Sequence, residues 1–226
     1  MNKSIVLLSG GLDSLVSLAY AKDEYNIQLA LTFDYGQRSA KKEIESAKTI
    51  AEYFNIEHIV IKTPWLQEIT ETSLVNTKQD LPKLDSKELD NPELTLNSAK
   101  NVWVPNRNGL FLNIAACFAD SMDFSHIIFG ANKEEGTTFP DNTQEFIDRI
   151  NAAFEFSTLA KPKVVAPLIN LNKTKIIELA LEIEAPLNLM RSCYTDQEKH
   201  CGKCESCLRL IRALEAVSKN FSDIGI

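Results

Sequence analysis

Ser9-Gly10-Gly11-Leu12-Asp13-Ser14 follows Ile5-Val6-Leu7-Leu8, an apolar run too short for a helix, which reads as a buried strand. Behind it comes Leu15-Val16-Ser17-Leu18-Ala19-Tyr20-Ala21, long and apolar enough to open a helix. The six residues therefore form a strand-to-helix turn, where free N–H groups and the positive end of the helix dipole suit phosphate. Gly10 and Gly11 let the backbone approach an anion with no Cβ in the way, and Ser9 and Ser14 add hydroxyl donors. Asp13 would repel phosphate unless a cation lay between them, which points to Mg²⁺. Neither common phosphate loop is present: the Lys of G-x-x-x-x-G-K-[ST] is missing and the G-x-G-x-x-G spacing is not met. A plain tight turn is the rival reading for a Gly-Gly pair.

The same alternation continues along the chain. Residues 27–33 read as a second strand, ending at Asp34-Tyr35-Gly36-Gln37-Arg38. Ser39 is expected to cap a helix running to about Phe54, with Ile44, Ala47, Ala51 and Phe54 on one face. Ile59-Val60-Ile61, His126 to Gly130 and Val164-Val165-Ala166 read as three more strands. Helices are expected at 109–121, 143–156 and 172–183. This order gives right-handed crossovers and an α/β fold, a parallel five-stranded sheet with helices on both faces. Ligands on such sheets bind beyond the carboxyl ends of the strands, so 9–14 and 34–38 should line one crevice. Residues 63 to about 103 break the rhythm, being polar with Pro64, Pro82 and Pro92. They read as a long loop that either covers the substrate or is a solvated insertion. Cys117, beside Ala116, Phe118 and Ala119, reads as a core thiol. Lys173 opposes the dipole in the first turn of its helix, a cost that a phosphate partner would offset.

The chain has 226 residues, 44% of them hydrophobic, enough for a core in one large domain. A net charge of -7 argues against a broad nucleic-acid footprint. No apolar run approaches the ~20 residues of a membrane span. The four apolar residues near the N-terminus are too few for a signal peptide, so the cytoplasm is expected. Five cysteines without an export signal suggest metal or catalysis rather than disulfides.

Cys193, Cys201, Cys204 and Cys207 follow C-x7-C-x2-C-x2-C. Short C-x2-C spacings bring sulfurs to one ion, and four thiolates suit tetrahedral Zn²⁺ in a closed, structural site. Arg191, Lys199, Lys203 and Arg209 would offset the thiolate charge. The rival is iron–sulfur, but the bacterial ferredoxin run would want a cysteine where Ile211 stands. His200 reads as a surface residue. A last helix is expected to follow Cys207, with Leu208, Ile211, Leu214 and Val217 on one face.

The first turn resembles the loop of the ATP pyrophosphatase (PP-loop) superfamily. Several motifs together resemble the QueC family of 7-cyano-7-deazaguanine synthases. They are Ser9 to Ser14, Asp34-Tyr35-Gly36-Gln37-Arg38, Val104-Pro105-Asn106-Arg107-Asn108, Phe139-Pro140-Asp141, Pro167-Leu168 with Lys173, and Ser192-Cys193-Tyr194 with the later cysteines. Two positions depart: Ser39 stands where many members carry His, and Asn142-Thr143 where many carry Cys-Arg. The second departure removes an arginine that would have met the substrate carboxylate.

The resemblance implies that 7-carboxy-7-deazaguanine and ammonia become the 7-nitrile at the expense of ATP, on the route to queuosine or archaeosine. ATP would lie along Leu8, Ser9, Gly10, Gly11, Leu12, Asp13, Ser14, Leu15, Val16 and Ser17, with Lys173. Tyr35, Gln37, Arg38, Arg107, Asn108 and Asp141 would meet the deazapurine, and Arg38 with Lys173 and Mg²⁺ would steady the charge on phosphorus. One Zn²⁺ would sit on Cys193, Cys201, Cys204 and Cys207. No protein nucleophile, nucleic acid or membrane is implied, and a homodimer is compatible with the reading. Residues 1–184 would form an adenine nucleotide alpha hydrolase-like domain, with 185–226 a helical zinc-binding segment packed on it as one unit. Two rivals stay open: a tRNA-thiolating or lysidine-forming PP-loop enzyme, and a zinc-stabilised nucleotide-binding module without catalysis.

Overall fold

In the computed structural model, which describes residues 3–81, 89 and 99–226, the strands are β1 (Ser4–Leu7), β2 (Ile27–Asp34), β3 (Glu57–Lys62), β4 (His126–Ile128) and β5 (Lys163–Val165). They pair in parallel in the order β3-β2-β1-β4-β5. The helices are α1 (Leu12–Tyr25), α2 (Ala40–Tyr53), α3 (Trp65–Glu68), α4 (Arg107–Met122), α5 (Lys133–Gly136), α6 (Gln144–Ser157), α7 (Lys173–Glu182) and α8 (Glu205–Ala216). From β1 the sheet grows one way through β2 and β3, then resumes on the other side of β1 with β4. That reversal opens a crevice beyond the carboxyl ends of β1 and β4.

Side chains alternate across a strand, so β1 feeds two cores. Val6 and Leu8 join buried residues of α1, α2, α7 and α8. Ile5 and Leu7 join those of α4 and α6. Leu187, Met190, Leu210, Ala213, Leu214 and Ile224 belong to the same core as α1, so the apolar interior runs unbroken across residues 184 and 185.

Several local expectations are corrected. Ser39 stands at the start of α2, but its hydroxyl donates to the Glu43 carboxylate instead of accepting from the backbone. Thr143 and Asn172 do cap, accepting from the amides of Phe146 and Lys175. The buried stripe of α2 is Ala47, Ile50 and Ala51, with Ile44 and Phe54 at its margin. Cys117 is exposed. The inner side of α4 is Phe111, Leu112, Ala115, Ala116 and Ala119, and one step of about 100° past Ala116 carries Cys117 to the outside. α8 begins at Glu205, and Cys207, Leu210, Ala213 and Leu214 form its buried stripe. Cys207 must turn into the cysteine cluster, and that fixes which face of α8 goes inward. Ser73, Leu74 and Val75 are buried, so this part of the 63–103 segment is not a solvated insertion. The expectation for residues 82–88 and 90–98 lies outside the described residues. No helix among the described residues is long and apolar enough to cross a membrane.

Candidate active site and cysteine cluster

A cleft of about 280 Å³ opens at the crevice, near the lower end of small-molecule sites, roughly 300–1,000 Å³. Ser9, Gly11, Asp13 and Ser14 form one wall, and Glu134, Glu135 and Lys173 adjoin them. Tyr35, Arg107, Asn108 and Asp141 line the other part. Ser192, Tyr194 and Glu205 complete it from the C-terminal segment.

The turn is held by its own polar groups. The Ser9 and Ser14 hydroxyls lie 3.1 Å apart, and Ser14 Oγ donates to the Gly11 carbonyl at 3.1 Å. The Ser9 amide donates to Ser14 Oγ at 3.2 Å. Gly10 has φ +81°, and a Cβ there would lie 2.8 Å from Ser46 Oγ and 2.9 Å from the Glu43 carbonyl. Its glycine is therefore demanded by the neighbouring α2 and by its own backbone. Leu15, Val16 and Ser17 are fully buried on the inner side of α1 and do not reach the cleft, whereas Leu8 and Leu12 line its floor.

Asp13 Oδ2 accepts from Lys173 Nζ at 2.5 Å, and Glu135 Oε1 from the same ammonium at 2.7 Å. The dipole penalty on Lys173 is thus met by two carboxylates. Burial drives the Asp13 carboxyl up to about 6 despite Lys173. Burial works against the Lys173 charge, but Asp13 and Glu135 outweigh it and hold the ammonium above its ordinary value. Burial would likewise raise Glu135, and Lys173 reverses that and lowers it. Asp13 Oδ1 is buried without a hydrogen-bond partner. An unpartnered carboxylate oxygen beside a phosphate turn fits a divalent cation seat.

The other expected residues divide. Arg107 Nη1 donates to Tyr35 Oη at 3.1 Å. Burial raises the Asp141 carboxyl, with Arg107 pulling the other way. Asn108 is buried at the cleft wall. Gln37 lines the cleft, but its side chain braces the turn after β2: it accepts from the Tyr35 amide and donates to the Phe33 carbonyl and Glu43. Arg38 is not brought to the phosphate end. Its guanidinium donates to the carbonyls of Ser73, Asn76 and Gln79 and pins that segment.

Sequence reasoning missed three features. Gly130, two residues past β4, is where a Cβ would lie 2.9 Å from the Ser14 amide nitrogen and 3.0 Å from the Asp13 carbonyl carbon. Gly130→Ala is therefore expected to push the turn aside, costing about 1–3 kcal/mol in a thermal melt and weakening ATP binding in calorimetry. Unchanged affinity would show that the turn tolerates displacement. The second feature is the carboxylate of Glu134, which accepts from Arg209 and Arg212 at 2.6 Å each. Arg209 also pairs with Glu205 within α8 at 2.8 Å, and Glu134 thereby ties α5 to α8. The i,i+4 spacing of Glu205 and Arg209 was the available signal. The third is the stack of Trp103 on Phe139, with centroids 5.9 Å apart and planes 9° from parallel.

The four sulfurs of Cys193, Cys201, Cys204 and Cys207 all lie within 4.8 Å of one another. A tetrahedral ion with bonds of ~2.3 Å wants sulfurs ~3.8 Å apart, and Cys201 to Cys207 is 3.9 Å. The Cys201 amide donates to Cys193 Sγ, and those of Lys203 and Cys204 to Cys201 Sγ, at 3.3–3.4 Å. N–H groups aimed at sulfur favour thiolates. The cluster fits a four-coordinate metal. His200 stays outside it: its Nε2 accepts from the Ser192 amide at 3.1 Å and its half-buried ring meets Phe221, so it is not a plain surface residue. Arg191 and Arg209 do not balance the sulfurs as expected. Arg191 donates to the carbonyls of Thr195, Gln197 and Glu198, and Arg209 serves Glu134 and Glu205.

The chain, a parallel five-stranded sheet with helices on both faces and a Gly-Gly turn at its switch point, has the fold of the PP-loop, adenine nucleotide alpha hydrolase-like class. Its structure is similar to that of a 4-thiouridine synthetase solved with RNA and bound ATP, over 81% of this chain and 41% of that one, with a TM-score of 0.50 and 21% identity, a likeness of fold alone. The model of the family described as queuosine biosynthesis protein QueC matches residues 3–218, and the chain belongs to that family. Among the most similar relatives are 7-cyano-7-deazaguanine synthases from Methanosarcina barkeri, 49% identical over 94% of both chains, and from Desulforamulus reducens, 50% identical over 96% of this chain and 95% of the other.

Proposed function

We propose that this chain is an ATP-dependent 7-cyano-7-deazaguanine synthase. It converts 7-carboxy-7-deazaguanine and ammonia into the 7-nitrile in queuosine or archaeosine biosynthesis, as a cytoplasmic enzyme without a nucleic-acid partner. The observation that carries this reading is one cleft joining a phosphate turn, with its Asp13–Lys173–Glu135 group, to a second half lined by Arg107, Tyr35 and Asp141. Here ATP is a co-substrate.

A carboxylate does not react with ammonia until one of its oxygens becomes part of a leaving group. Amides of the turn and Lys173 hold the phosphates and steady the charge that builds on phosphorus. Mg²⁺, on Asp13 with its free Oδ1, would supply Lewis-acid polarisation of a phosphoryl oxygen. The carboxylate attacks the α-phosphorus and pyrophosphate departs. Ammonia then displaces AMP to give the amide. The amide oxygen is adenylated in turn, and loss of AMP with a proton leaves the nitrile. Burial disfavours the Asp13 carboxylate, and a bound cation would offset that cost. The Cys₄ cluster, as a closed site for one Zn²⁺, takes no part in these steps.

Purified protein given the acid, ATP, Mg²⁺ and ammonium should yield the nitrile by mass spectrometry, and glutamine should not replace ammonium. Absence of nitrile would refute the activity. Equal rates with glutamine would refute free ammonia as the nitrogen source.

A further inference from the structure

We infer that Arg107 is the residue that holds the substrate's carboxylate, and that it selects the acid over the amide formed later in the same cleft. The inference rests on the proposed reaction and adds to it the group that recognises the acid. Among the described residues, four cationic side chains line the cleft: Arg107, Lys173, Arg191 and Arg209. Three are engaged. Lys173 is paired with Asp13 and Glu135. Arg209 is paired with Glu134 and Glu205. The terminal nitrogens of Arg191 are held by three backbone carbonyls.

Arg107 differs. Among the described residues its hydrogen-bond partner is the neutral Tyr35 hydroxyl, and its guanidinium stands 5.7 Å from the centroid of that ring. No carboxylate among the described residues pairs with it, although Asp141 and Glu43 act on it from beyond contact. A half-buried guanidinium with one of its five N–H groups engaged is costly until an anion arrives. Its planar fork matches a carboxylate through two parallel hydrogen bonds. The ATP phosphates already have the turn and Lys173, so the anion left for Arg107 is the carboxylate of the acid. Tyr35 takes one hydrogen of Nη1, which leaves the Nε–Nη2 edge for two parallel bonds to a carboxylate. The 7-carboxamide carries no charge and presents an NH₂ to one arm of that fork. Arg107 therefore contributes to the first adenylation and little to the second.

The test compares the acid and the 7-carboxamide as separate starting substrates, each with ATP and Mg²⁺. Arg107→Met is expected to raise KM for the acid about 100-fold, the loss of a charge-assisted bidentate contact. KM for the carboxamide should change by less than about fivefold, and the affinity for ATP should hold. If Arg107→Met does not fold, Arg107→Lys, which keeps the charge but loses the fork, is read by the same ratio, with a smaller rise for the acid alone. Equal losses for acid and carboxamide, or no loss for either, would overturn the assignment. Wild-type protein that makes nitrile from neither substrate would instead defeat the proposed function itself.

Discussion

Asp13→Asn should lower nitrile formation by about 10³-fold or more while leaving a protein at least as heat-stable as wild type. The two halves of this result have one cause. Asp13 is half-buried at the start of α1, with one oxygen on Lys173 and the other buried without a partner. The geometry suits a cation in the working complex and is unfavourable without one. Its carboxyl rises from 3.8 to about 6 in the folded chain. Between those values the folded state binds more protons than the unfolded state, so stability increases as pH falls through about 6. Above that pH the ionised group costs stability, on the order of 3 kcal/mol. Asparagine mimics the protonated form and removes the cost. The variant should therefore melt above wild type at pH 7.5, and the gap should narrow by pH 4.5. Glu135 still holds Lys173 in the variant. A turnover within tenfold of wild type, or a variant that melts far below it, would assign Asp13 to packing instead.

Cys204→Ser should be the most damaging single change for folding. Cys204 is buried and also stands at the start of α8, so its sulfur and its backbone both belong to the join. Metal binding free energy in such a site is folding free energy, because the unfolded chain has no preformed cluster. Losing one of four ligands removes several kcal/mol from a total stability of about 5–15 kcal/mol. The yield of soluble protein and its melting temperature should both fall, and elemental analysis should drop from one zinc per wild-type chain to well below one. The damage should reach the phosphate turn. Two residues before Cys193, the Arg191 amide donates to the Gly10 carbonyl at 2.7 Å, and Ser46 Oγ bridges the Gly10 and Leu189 carbonyls. The fraction that still folds should keep measurable turnover with a raised KM for ATP. A brown wild-type protein containing iron, or a Cys204→Ser variant of full stability and no turnover, would contradict a structural zinc.

What the sequence made legible follows from the range over which each signal acts. The strand, turn and first helix were readable because four apolar residues, two glycines and a helical apolar run are adjacent. The parallel sheet followed from repetition of that unit. The cysteines were readable because metal ligation imposes its own spacing. Arg38 was not, since its partners at Ser73, Asn76 and Gln79 meet it only after the chain has crossed β3. Glu134 meets Arg209 and Arg212 across more than seventy residues, and nothing local marks that pairing. Gly130 follows a strand as many glycines do, and its need to clear the backbone of Asp13 and Ser14 exists only once β4 lies beside β1. Cys117 shows the limit within a helix, where one residue of phase separates core from solvent.

The central claim is that this cleft activates the substrate's oxygens by adenylation, twice. Acid labelled with oxygen-18 in both carboxylate positions tests it directly, with the label followed into the nucleotide products by mass spectrometry. Each carboxylate oxygen should leave on an AMP, one in forming the amide and one in forming the nitrile, with unlabelled pyrophosphate alongside. Label appearing in inorganic phosphate, with ADP as the nucleotide product, would contradict it and place the cleavage at the terminal phosphate instead.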